Sequence, residues 1–150
     1  MRRLIEIGRI NFLKDLICCG NIYPVILAPI DLLIPHEDIE YSRFCELAED
    51  ITRRRIIEKP ILVDMNTLII LDGHHRYHVF KELGKEKIPA LLIDYNDPCI
   101  RVESWRSDWF VNKELVIKTG LERKLLPHKT SRHILCFEIP RIDLSIDLIP

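Results

Sequence analysis

Residues 68 to 84 read LIILDGHHRYHVFKELG. An apolar run with strand character ends at Asp72-Gly73, and a helix-forming stretch then continues to Gly84, a natural stop signal. Together with KPILVDMNT before it and IPALLIDY after it, this stretch predicts five elements. They are a strand at 61 to 63, a turn at 64 to 66, a strand at 67 to 71, a helix at about 74 to 83 and a strand at 89 to 95. A strand-helix-strand unit of this kind places the chain among α+β (α/β) domains.

At the junction, aspartate is a favoured helix N-cap and glycine lets another molecule approach the backbone closely. The first turn of the helix then presents free amides and the positive end of the helix dipole, which suits an anion. His74, His75 and Arg76 follow immediately, where capping alone would favour acidic residues. A bound phosphate compensates such a group, whereas Asp72 taken alone is explained as a simple cap.

Outward from this unit, Leu4, Ile7, Phe12, Leu13, Leu16 and Ile17 approximate a helical stripe before Gly20-Asn21. They predict an amphipathic helix within residues 1 to 20, packed on the body. Next come a strand around 25 to 27, a proline-punctuated loop and a helix in EYSRFCELAEDITRRRI. Beyond Asp97-Pro98 lie RVESWRSDWF, a helix from about 112 to 119 ending at Gly120, the polar segment LLPHKTSRH and an apolar tail. No internal repeat, flexible linker or second core interrupts the pattern, so one domain is expected over residues 1 to 150.

Composition narrows the function classes. With 22 basic and 23 acidic residues, the net charge of -1 argues against a general nucleic-acid coat, so no nucleic-acid partner is expected. Anion binding must be concentrated at a site. Glu6, Arg9, Lys14 and Asp15 break the N-terminal apolar run, which excludes a signal core or membrane span there. The five cysteines are odd in number and lack C-x-x-C spacing, so neither a disulfide framework nor a zinc cage is indicated, and a cytoplasmic location is expected.

Three further groups carry candidate chemistry. In PHKTSRH, Lys129 and Arg132 can neutralise phosphate, while Thr130 and Ser131 can hydrogen-bond its oxygens; a solvated basic loop is the plainer reading. Glu37 in IPHEDIE is either a carboxylate favourable to a helix start or a general base that takes a proton from an alcohol. Trp105 and Trp109 are core or lid aromatics, or else one wall of a substrate pocket.

The stretch ILDGHHRYHVFKELG followed by IPALLIDY resembles the ParB/sulfiredoxin-like superfamily. Joined to PHED upstream and HKTSRH downstream, it is most similar to the archaeal free L-serine kinases. The resemblance spans about residues 23 to 150, with a segment missing between SWRSDWF and PHKTSRH relative to the ADP-dependent members. It implies a small mixed sheet with surrounding helices, and transfer of a phosphoryl group from ATP or ADP, with Mg²⁺, to the hydroxyl of free L-serine.

By the same resemblance, Glu37 is the base and Asp72 lies beside the transferred group, positioning Mg²⁺ or the hydroxyl. Gly73, His74, His75, Arg76, Lys129, Thr130, Ser131 and Arg132 hold the nucleotide phosphates, and Trp105 and His133 belong to the serine pocket. A monomer or small homo-oligomer is expected, with ATP preferred as donor. A sulfinic-acid reductase of the superfamily would need a cysteine in the phosphate turn, where this chain has His74 and His75. A ParB-like DNA module would continue into a helix-turn-helix domain and would bind duplex DNA in a salt-sensitive way. A nucleotide-binding regulator without catalysis would not need Glu37 and Asp72.

Overall fold

The computed structural model describes residues 12–18 and 21–150. Among the described residues, nine strands occur in the order β1 (Phe12–Cys18), β2 (Asn21–Pro29), β3 (Ile56–Ile57), β4 (Ile61–Asp64), β5 (Ile70–Asp72), β6 (Lys87–Ile93), β7 (Ile100–Ser104), β8 (Ser131–Leu135) and β9 (Leu144–Ser145). Helix α1 (Tyr41–Arg54) lies between β2 and β3, α2 (His74–Glu82) between β5 and β6, and α3 (Lys113–Leu121) between β7 and β8. The main sheet has five strands in the order β1-β2-β6-β4-β5. Only β4 and β6 are parallel, and the other pairs are antiparallel.

The strand-helix-strand unit is therefore not a simple crossover. β5 turns back antiparallel on the outer side of β4, and α2 then carries the chain over to β6 on the inner side. All four residues of β4 are buried, because the sheet is covered on both faces. Side chains alternate between the two layers, as strand pleating requires. Ile61, Val63, Ile70, Ile88, Ala90 and Leu92 face the layer holding Ile51 of α1 and Tyr77, Val79 and Phe80 of α2. Leu62, Leu71, Leu91 and Ile93 face the layer holding Ile100 of β7 and Val116 of α3.

Several expectations change. Phe12–Cys18 is a strand, not part of a helix, with Lys14 opposite Val25 and Cys18 opposite Asn21. β1 pairs antiparallel with β2, so the chain reverses direction between Cys18 and Asn21 where a helix end was expected. The remainder of the predicted N-terminal helix, up to residue 11, lies outside the described residues.

Asp72 is not the cap of α2; it closes β5, and Gly73 takes the cap position with φ 101°. β7 and β8 form a separate two-stranded ribbon that local patterning did not reveal. Cys99 and Cys136 form a disulfide, with Cα atoms 5.4 Å apart, at the end of this ribbon where Ile100 pairs with Leu135. The pairing removes the cysteine argument for a reducing compartment. Among the described residues, no helix is long and apolar enough to cross a membrane.

Candidate active site

A cavity of about 550 Å³ opens where α1, the β3–β4 segment, the start of α2 and the start of β8 meet. Its wall includes Glu37, and the segment from His36 to Glu40 that carries this residue, termed the floor, is tied down from two sides. Ile34 exchanges backbone hydrogen bonds with Leu68 and Ile70, while Leu126 donates to the His36 carbonyl and accepts from the Asp38 amide. The carboxylate of Glu37 is fixed in turn. Its Oε1 accepts from the Thr130 amide at 3.1 Å, the Ser131 amide at 2.7 Å and the Ser131 hydroxyl at 3.0 Å. Among the described residues, no donor meets Oε2. Burial raises the Glu37 carboxyl above its ordinary value; the bonds from Ser131 and Thr130 oppose the rise, and the negative charge of Asp72 adds to it.

Three buried or partly buried histidines fasten this floor. His36 is fully buried: its Nδ1 donates to the Ile70 carbonyl at 2.7 Å and its Nε2 lies 3.0 Å from Ser131 Oγ. His74 Nε2 accepts the His36 amide at 3.2 Å, and His75 Nε2 accepts the Glu40 amide at 3.0 Å. The two adjacent histidines thus have their ring nitrogens turned to the backbone of the floor. Burial lowers His36 to about 4, despite the opposing Ile70 bond, and lowers His74 well below the usual range. His75 is lowered mainly by partial burial and then by Arg43. These rings are neutral near pH 7, so the positive character of the turn comes from its amides and from Arg76.

The turn itself depends on Gly73. A Cβ there would stand 2.5 Å from Ile61 Cγ2, and φ is in the left-handed region. Beyond it, the amides of His74, His75 and Arg76 meet no acceptor among the described residues, as expected for the first turn of a helix. Arg76 donates through Nη1 to the carbonyls of Lys59 at 2.8 Å and Pro60 at 2.9 Å, and Nη2 lies 3.6 Å from Asp72. The Asp72 side chain is 58% exposed, which leaves its carboxylate accessible at the cavity wall.

The second cationic group divides. Ser131, Arg132 and His133 line the cavity, and Arg132 stacks over the Trp105 ring at 4.5 Å. Thr130 is fully buried, with its amide on Glu37 and its hydroxyl on the Pro127 carbonyl. Lys129 is exposed, 3.9 Å from Glu40, and is not part of the cavity wall. His133 accepts at Nε2 from Tyr95 at 2.8 Å, with Nε2 so occupied and its value lowered to about 3 by burial, His36 and Lys113. The sequence reading missed Arg43, Leu47 and Asp50 of α1 and Ile57, Glu58 and Lys59 around β3, which complete the cavity. The cations Arg43 and Lys59 belong to no motif; the packing of α1 against α2 brings Arg43 to the turn, and the β3–β4 connection brings Lys59.

Mg²⁺ needs no cage made wholly of protein groups, since it is commonly held by one or two carboxylates together with substrate phosphates and water. Among the described residues, no group of three or more His, Cys, Asp or Glu is arranged around an ion. The accessible carboxylate of Asp72 beside the free amides of α2 fits a phosphate-bound Mg²⁺.

The fold resembles that of solved free serine kinases. A free serine kinase solved with AMP superposes with a TM-score of 0.75 at 16% identity, over 82% of this chain and 92% of that one. Among curated proteins, the chain is 35% identical over 96 residues to an ATP-dependent L-serine kinase of Staphylothermus marinus, covering 61% of this chain and 38% of that protein. It is 48% identical over 73 residues to a ParB-like protein of Sulfolobus acidocaldarius, covering 49% and 36%. An ADP-dependent L-serine kinase of Thermococcus kodakarensis is 28% identical over 105 residues, covering 65% and 43%. The chain therefore spans less than half the length of these relatives. No protein-family model matches it.

Proposed function

We propose that the chain is a free L-serine kinase, transferring a phosphoryl group from ATP or ADP to the serine hydroxyl to give O-phospho-L-serine. The observation that carries this reading is the Glu37 carboxylate, fixed through one oxygen and open at the other, in the same cavity as an unpaired helix N-terminus. Phosphoryl transfer asks for that combination: positioning, neutralisation of phosphate charge and a base for the acceptor hydroxyl.

In this mechanism the serine oxygen attacks the terminal phosphorus, the bond to the bridging oxygen breaks, and the serine proton passes to Glu37. The amides of His74, His75 and Arg76 receive phosphate oxygens, and Arg132 adds positive charge. Lys129, Thr130 and the imidazoles of His74 and His75 act indirectly, by holding the floor or the loop. Trp105 and His133 wall the serine side. Asp72 would hold Mg²⁺, which would supply charge neutralisation to the transferring group. ATP is assigned as donor because the relative at 35% identity is ATP-dependent, whereas the ADP-dependent one is 28% identical. Nucleotide and free serine are the partners, and the cytoplasm is the compartment that supplies both.

The test is incubation with Mg²⁺ and L-serine plus ATP or ADP in turn, with phosphorus NMR as readout. O-phosphoserine is expected with ATP. Product with ADP alone overturns the donor assignment, and no product with either overturns the kinase reading.

A further inference from the structure

Ser131 carries one hydroxyl proton, yet two acceptors claim it. His36 Nδ1 faces the Ile70 carbonyl at 2.7 Å and must donate, so in the neutral ring Nε2 bears a lone pair. That lone pair is 3.0 Å from Ser131 Oγ, and Glu37 Oε1 is 3.0 Å from the same oxygen. With Glu37 ionised, only one of these contacts can be a hydrogen bond. A proton on Glu37 removes the competition: Oε1 becomes a weak, carbonyl-like acceptor that retains the amides of Thr130 and Ser131. The hydroxyl then turns to the imidazole.

We propose that His36 is a positioning residue for the base, receiving the Ser131 hydroxyl hydrogen bond whenever Glu37 holds a proton. This rests on the reading of Glu37 as general base. As the proton leaves the acceptor alcohol for Oε2, the Ser131 O–H swings from Oε1 to His36 Nε2. One hydrogen bond is exchanged for another and no covalent bond to His36 changes. The protonated base is thus as well satisfied as the ionised one, which makes Glu37 a stronger proton acceptor than a carboxylate whose hydroxyl donor had nowhere else to point.

The surroundings favour this arrangement over a charged imidazole. His36 is enclosed by His74 of α2, with ring centroids 4.8 Å apart, and by His133 of β8 at 6.2 Å, and burial keeps it neutral. Of the charged groups, Asp72 of β5 acts on Glu37, and Lys113 of α3 acts on His133.

The experiment follows the Glu37 carboxyl by ¹³C NMR in the full chain without nucleotide, with the signal assigned through Glu37→Gln. His36→Asn keeps a donor for Ile70 but reaches no further, so Ser131 is left with Glu37 alone. The Glu37 midpoint should fall by about one pH unit. In a Ser131→Ala background, the same His36 substitution should leave the midpoint where Ser131→Ala puts it. In the unsubstituted protein, which guards against a variant that does not fold, the ¹⁵N resonance of His36 Nε2 should move with the Glu37 titration. An unmoved midpoint in His36→Asn, an equal shift in the Ser131→Ala background, or a flat Nε2 resonance overturns the proposal. None of these readouts requires turnover. A coupled titration without O-phosphoserine formation sinks the kinase reading alone, and turnover without coupling sinks only the role of His36.

Discussion

Glu37 combines restraint at one oxygen with openness at the other, and Gly73, with a positive φ and no Cβ, lets the turn before α2 sit against Ile61 of β4. Glu37→Gln should reduce turnover by roughly two to four orders of magnitude, with nucleotide affinity nearly unchanged; steady-state kinetics beside a calorimetric titration separates the two effects. Gly73→Ala forces a Cβ to within 2.5 Å of Ile61 Cγ2 at φ 101°. It should cost roughly 2 kcal/mol or more of stability, read as the urea unfolding midpoint. The positions of these residues were legible because the signals are local, a strand ending in Asp-Gly and an acidic residue after a proline turn. The separate tasks of His74 and His75 were not, since each ring nitrogen meets an amide 38 or 35 residues away in sequence.

At the level of elements, α2 was readable from its stop signal and apolar flanks, whereas β1 and the β7–β8 ribbon were not. The apolar spacing before Gly20 fits a helix as well as a strand, and pairing with β2 decides between them. Ser104 pairs with Ser131 across an excursion that includes α3, so no short window contains the ribbon.

The junction of the His36 floor, α2 and β8 also sets an acid limit. His36 is held to about 4 and His133 to about 3, both below the ordinary 6.5. The folded state therefore binds protons less readily than the unfolded chain. The stabilisation is complete above pH 6.5 and is lost progressively as pH falls from there to about 4 for His36 and about 3 for His133, where the loss levels off. Glu37, raised by burial, has the opposite sign, favouring the fold while protonated. Urea midpoints at pH 7, 5.5 and 4 should decline steadily, and an unchanged midpoint would contradict neutral buried histidines.

Across the whole molecule, the Cys99–Cys136 bond closes a loop of 37 residues that carries Trp105, α3 and the Ser131 clasp. Reduction should lower stability by about 4 kcal/mol on the loop-entropy account. Denaturant curves with and without reductant should differ by that amount in the unsubstituted chain and coincide for Cys136→Ser.

The clasp on Glu37 also has a consequence in time. Strands β4, β5 and β6 and helix α2 are contiguous in sequence and can find one another early, because short loops close at little entropic cost. The Ser131 amide reaches Glu37 across 94 residues and only after the ribbon has docked. On the proposed kinase reading, a newly made chain thus acquires its phosphate turn before it acquires an aligned base, so nucleotide can be gripped before anything is poised to spend it.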